Sequence, residues 1–346
     1  MRGNHLKLSK LRNLTLGVVG AVTILAGQSG IVSAATAVPK TAPKTVNNST
    51  NTLKISPVRS DITIEAGKSA KVTVTISNLT ATPVGLKPIE NDFIAGDEKG
   101  TPSLILDENS YAPTHSLKRF MVPLKTITVP ANSSQNVDVT IAVPKTAQAG
   151  GYYGALRFAP LTASGDQSVN LGASVASLIL MTVPGPTTEK LLMTNFDIQQ
   201  NGDTAGSFRT PDNINLFLRF KNEGNVQLAP FGQIYVKKGD KVLYKSDFNV
   251  EDPKQVVLPD SARRWENIPL KGFGKFGKYT VGATFGYGTK GQNIEVEKTV
   301  WIIPSTYIVG GLIAIGILIA LIVFIVLFLK GYKKRVLRGS RGKRRR

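Results

Sequence analysis

Along the middle of the chain, apolar and polar residues alternate at a period of two. Ala70–Ser77 reads AKVTVTIS, with Val72, Val74 and Ile76 on one face and Lys71, Thr73 and Thr75 on the other. Asn136–Val143 repeats the pattern through Val137, Val139 and Ile141, and Leu216–Phe220, Gln233–Val236, Tyr279–Phe285 and Ile294–Val300 follow it further on. Successive side chains of a strand point to opposite faces, so this period with β-branched residues predicts half-buried strands. Pro, Gly, Asn and Asp break the runs where turns are needed. No stretch between residues 53 and 300 carries a long amphipathic helix, and many short strands at this spacing predict β-sandwiches. Val183-Pro-Gly-Pro-Thr-Thr-Glu189 is punctuated like a linker. The expected division is therefore a first sandwich over 53–184, a linker at 185–189 and a second sandwich over 190–300. Each is large enough to bury a core without disulfides.

The two ends have another character. Basic residues through Arg12 precede a thirteen-residue apolar run, Leu14–Ala26, and then small residues that offer cleavage at Val32-Ser33-Ala34. That order predicts a secretory signal over 1–35, and the run is too short to cross a bilayer of ~30 Å. Residues 36–52, rich in Thr, Asn, Pro and Lys, have almost nothing to bury and predict a flexible tether. At the other end, Ser305–Leu329 holds 25 residues without a charge. At ~1.5 Å per residue they reach about 37 Å, enough for one transmembrane helix, expected over 301–329. Trp301 and Tyr307 flank its outer end, and Leu329, Lys330, Lys333, Lys334 and Arg335 its inner one, the pattern of an interfacial anchor. A basic tail over 330–346 completes the expectation of a single-pass plasma-membrane protein, outside at its N-terminus and cytoplasmic at its tail.

Charge and composition narrow the chemistry. The chain has 43 Lys+Arg against 23 Asp+Glu, a formal +20, but much of the excess lies at the two termini. The last 17 residues alone hold ten bases and no acid, which speaks of topology rather than of nucleic acid. With no cysteine and two histidines, there is no thiol nucleophile and no basis for a Cys- or His-rich metal site. His115 lacks the strained turn of a catalytic triad and reads as a loop histidine. Glu90, Asn91, Asp92, Asp97 and Glu98 form the densest acidic patch, expected to be a solvated hairpin loop, without the spacing of a calcium loop. No phosphate or dinucleotide fingerprint appears. The expectation is a binding protein with no enzymatic activity and no cofactor. The candidate ligand-binding residues are Tyr152, Tyr153 and Arg157, with one of the tyrosines buried by alternation, and Trp265 beside Arg263 and Arg264.

Two resemblances bear on function. Leu53-Lys-Ile-Ser-Pro-Val, Glu65-Ala-Gly with the following valine strand, Thr128-Val-Pro-Ala-Asn-Ser-Ser134, and Gly150-Gly-Tyr-Tyr-Gly-Ala-Leu-Arg-Phe158 resemble WxL-interacting bacterial surface proteins. That resemblance implies two tandem immunoglobulin-like sandwiches, a C-terminal membrane helix and a basic tail. It also implies adhesion or display at the cell surface, with peptidoglycan or other surface proteins as partners. The early region with Arg59 after a short first strand is similar to the N-terminal domain of periplasmic pilus chaperones. That likeness implies the alternative, an envelope-assembly factor acting by strand donation. The two differ in a structural respect: an assembly factor needs an unpaired apolar first or last strand, an adhesin closed sheets with exposed aromatic loops.

Overall fold

The computed structural model describes residues 52–161 and 174–341. The expected signal over 1–35 and all but the last residue of the tether lie outside them. The first sandwich comprises β1 (Leu53–Ser56), β2 (Arg59–Thr63), β3 (Ser69–Asn78), β4 (Val84–Ala95), β5 (Pro102–Leu104), β6 (Ile127–Val129), β7 (Ser133–Ala142), β8 (Gly150–Pro160) and β9 (Val175–Val183). One sheet runs β1-β3-β7; the other runs β2-β9-β8-β4-β5, with β6 also pairing β4. In the first sheet Val72 stands opposite Val139 and Val74 opposite Val137, all pointing into the core. On the outer face Thr73 bonds Asp138 at 2.7 Å, Thr75 bonds Asn136 at 2.8 Å, and Ser77 meets Ser134 at 2.7 Å. The period of two thus separates a dry face from a hydrogen-bonded one.

The first segment of this sandwich divides between its sheets. β1 pairs antiparallel with β3, and from Arg59 onward β2 runs parallel to β9, with Arg59 opposite Leu178 and Thr63 opposite Thr182.

The second sandwich comprises β10 (Leu191–Gln200), β11 (Asp203–Thr204), β12 (Ser207–Phe208), β13 (Ile214–Asn222), β14 (Phe231–Lys238), β15 (Lys241–Phe248), β16 (Ala262–Pro269), β17 (Gly277–Tyr287) and β18 (Gln292–Ile302). Its sheets run β11-β10-β13-β16 and β12-β18-β17-β14-β15. Phe220 and Phe285 meet edge-on at 5.3 Å, and Phe248 packs against both Phe285 and Trp265. These rings fill the space between the sheets.

A matched device closes one end of each sandwich. Asn78 at the end of β3 and Asn222 at the end of β13 are both fully buried. Asn78 donates to the carbonyls of Thr82, Val129 and Pro130, and accepts from the Thr80 amide. Asn222 donates to the carbonyls of Val226 and Val257 and accepts from the Gly224 amide. In each case one side-chain amide satisfies backbone groups in or beside a tight connection.

Three differences from the sequence expectations have physical reasons. The patch from Glu90 to Asp92 is no solvated loop: it lies in β4, where Asp92 is fully buried. Asp92 accepts from the amides of Ala112 and Lys118 and from the Ser116 hydroxyl, so it organises the following loop from within. Only Asp97 and Glu98 stand in the β4–β5 connection. Trp301 belongs to β18 rather than to the helix. Helix α1 (Ser305–Arg341) runs past Leu329 through Lys330, Lys333, Lys334 and Arg335, residues of good helix propensity that also suit a helix C-terminus. Its span Ser305–Arg335 is long and apolar enough to cross a membrane and has no buried residues. At its start Tyr307 stacks on Phe276 of the second sandwich, ring centres 5.0 Å apart.

Candidate functional site

A small third core lies between the sandwiches. Phe93, Tyr153, Ala155 and Leu180 point outward from the second sheet of the first sandwich and pack with Leu178, Val256 and Leu258. On one side of this core the chains are laced together by hydrogen bonds. The Gly151 amide donates to the Asn225 carbonyl at 2.8 Å, Asn225 donates to the Ala149 carbonyl, and the Tyr153 hydroxyl bonds Gln227 at 2.9 Å. Gln227 in turn reaches the Thr182 hydroxyl at 3.1 Å.

On the other side the surfaces part into a cleft of about 230 Å³. Its floor is Phe93, Leu178, Leu180, Val256 and Leu258, and two arginines stand over it, Arg59 from β2 and Arg263 from β16. Arg59 pairs with Asp61 at 2.8 Å and donates to the Lys254 carbonyl at 2.9 Å. Arg263 donates to the Val256 carbonyl and to Gln255, while its buried Nε has no hydrogen-bond partner. Burial, and then the positive charge of Arg59, hold the Arg263 guanidinium below its ordinary pKa. Two cations facing one apolar pocket, one of them incompletely satisfied, make a site that gains from an anion. Asp97 lines the same cleft, but its carboxylate is engaged by the amides of Lys99 and Thr101, chiefly the latter, which keep it below the usual carboxylate range. Among the other polar residues of its lining, Gln255 is held by Arg263 and by the Trp265 indole at 2.9 Å. Among the described residues no group of three or more His, Cys, Asp or Glu is placed to hold a metal ion.

The edge beside the cleft is open. β9 is apolar along its length, and β2 covers its outer side only from Leu178 to Thr182. β8 pairs with Val175–Ser177 on one side; on the outer side no strand among the described residues lies beside them, though the buried Ser177 hydroxyl donates to the Pro57 carbonyl at 2.7 Å, and β2 itself is the edge of its sheet.

The sequence-derived candidates are scattered around this site. Tyr153 is buried in the inter-sandwich core, and desolvation pushes its hydroxyl above the usual tyrosine pKa. Tyr152 is half-buried, packs on Phe120 at 4.9 Å and donates to the Gln148 carbonyl. Arg157 is buried on Asn91, leaving little surface for a ligand. Trp265 packs edge-on against Phe220 and Phe248 and has the Arg263 guanidinium 5.2 Å from its ring centre. His115 adopts a left-handed backbone and places Nδ1 2.7 Å from the Gly151 carbonyl. Sequence reasoning singled out Trp265 and the arginines beside it, but not the cleft: its walls come from residues more than 150 positions apart.

No protein-family model and no curated protein matches the chain. Solved structures do. The chain is similar to a class 5 fimbriae chaperone, CfaA, at 14% identity over 73% of this chain and 99% of that one, TM-score 0.35. It is also similar to a chain of the Salmonella enterica SafA pilin–SafB chaperone complex, at 12% identity over 72% and 96%, TM-score 0.32. A third is the E. coli chaperone DraB, at 14% identity over 70% and 97%, TM-score 0.31. These findings correct the first resemblance. The three structures named are of chaperones, one described as a fimbriae chaperone and one in complex with a pilin, not of WxL-interacting surface proteins. The plasma-membrane placement with a cytoplasmic tail, read from the apolar run and the basic tail, is corrected by the same chaperone matches. With the surface-protein family go adhesion at the cell surface and peptidoglycan or surface proteins as partners. The short strand motifs that suggested them are turn-and-strand grammar, which any sandwich shares.

Proposed function

We propose that the protein is a non-catalytic assembly factor that holds an extended segment of a partner polypeptide by strand pairing at the β2/β9 edge, with that segment's anionic end in the cleft. The cleft carries this reading: Arg59 and Leu178, on the strands that form the open edge, also line it. A strand laid along that edge therefore leads its end toward Arg59 and Arg263. Main-chain hydrogen bonds would supply affinity, and the apolar floor would select the terminal side chain. The chaperones to which the chain is similar include one in complex with a pilin, and a subunit of that kind is the partner class proposed here.

The test uses the full chain in detergent and two versions of one short peptide with apolar residues at alternate positions. One ends in a free carboxylate and the other in an amide. The carboxylate form binds more tightly, and Arg59→Ala or Arg263→Ala weakens it by roughly tenfold or more while leaving the amide form little changed. Equal binding of the two forms, or indifference to both substitutions, would refute the reading.

A further inference from the structure

The β4–β5 connection of the first sandwich reaches across the mouth of the cleft and grips the second sandwich by charge. Glu98 accepts two hydrogen bonds from the Arg219 guanidinium, one of 2.9 Å to Nε, and the Glu98 carbonyl accepts from the Arg264 amide at 2.6 Å. Lys99 stands 3.6 Å from Glu266. Gly100 lies flat against Arg263, where a Cβ would come within 2.2 Å of the guanidinium carbon. The opposite side of the cleft is joined differently, by the Gly151 amide on the Asn225 carbonyl, by the Asn225 side chain on the Ala149 carbonyl and by the chain itself at Pro184-Gly185-Pro186.

From this asymmetry we infer that the β4–β5 connection is a clasp that opens and closes the cleft about the laced side as a hinge. Apart from the one backbone bond between Arg264 and Glu98, the clasp side is held by ion pairs with partly exposed partners, Glu98 and Arg219 having side chains 37% and 30% accessible. Such pairs contribute little each and weaken with salt, so they suit a contact that must release. The laced side is covalently continuous and bonded through uncharged groups that are buried or half-buried, which salt does little to loosen. Opening moves Gly100 off Arg263 and exposes the arginine to whatever enters. The inference concerns motion of the cleft and stands whether or not a polypeptide is its occupant.

The chain has no cysteine, so a reporter pair can be placed without background. Spin labels at Asn109→Cys and Lys271→Cys, exposed positions on the two sandwiches, report the distance across the cleft in the full chain. Glu98→Gln raises the population at long distance by roughly fivefold. Added salt shifts the wild-type distribution the same way. Asp197→Asn, which breaks the Lys298 pair away from the cleft, leaves it unchanged. A distribution that neither Glu98→Gln nor salt alters would overturn the clasp, because salt acts on the unmutated chain and needs no variant to fold. An equal response to Asp197→Asn would overturn it too, by showing general loosening instead of release at this contact.

Discussion

Gly100 has φ of +90° and no room for a side chain beside Arg263. Gly100→Ala should therefore cost about 1–3 kcal/mol, seen as a lower Tm, and should move the Arg263 guanidinium. Asn222 is a different kind of single-residue support. Asn222→Ala strands two buried carbonyls and the Gly224 amide, and should destabilise the second sandwich by about 2–4 kcal/mol in denaturant unfolding. Neither residue announces itself in the sequence, because a buried asparagine and a surface-turn asparagine look alike until the carbonyls around them are placed. Glu223 shows the same limit from the electrostatic side. Hydrogen bonds from Lys190 and then Lys221 bring its carboxyl down from 4.5 to about 2. Because the folded value is the lower one, its contribution is present above the ordinary glutamate range and is lost as pH falls toward 2. A side-chain carbon NMR titration checks this: a Glu223 midpoint near that of a free glutamate would contradict it.

Among the elements, edges matter most. β15 is an edge strand with a bulge where Val236/Lys237 of β14 meet it, and it carries Lys241 and Lys245. β18 pairs with β12 only at Trp301 and Ile302, and it turns Lys298 toward the other sheet, onto the Phe196 carbonyl and Asp197. Bulges and inward lysines are devices that keep edges from pairing with other chains. Lys298→Val should thus raise self-association, measured by light scattering at matched concentration; no change would mean that the edge is guarded in another way. The first residues of β9, Val175–Ser177, carry no such charge. Strand positions were legible from the period of two because alternation is imposed locally by burial of one face. The split of the first segment between two sheets was not, since both halves show the same alternation and only their partners differ. The acidic patch failed for a related reason: Asp92 sits at an inward position of β4, and composition alone treats every carboxylate as solvated.

At the scale of the whole molecule, two sandwiches and one apolar helix follow from the chain's punctuation and from its uncharged run near the C-terminus. The cleft does not. Arg59 and Arg263 are brought together by the inter-sandwich core, which depends on Tyr153 meeting Gln227 and on Phe93 and Leu180 facing out of a sheet. Outward apolar residues on a strand read as a flaw in alternation until a second domain covers them. The same core explains why Tyr153, a ligand candidate by residue type, supports the site instead of lining its surface. The proposed function requires that a partner strand add at the β2/β9 edge. Hydrogen exchange of the full chain, with and without the carboxylate-ended peptide, tests it most directly. New amide protection is expected only at Arg59–Thr63 and Val175–Ser177, with β15 and β18 unchanged. Protection that appears at β15 or β18, or none at the β2/β9 edge despite saturating peptide, would contradict it.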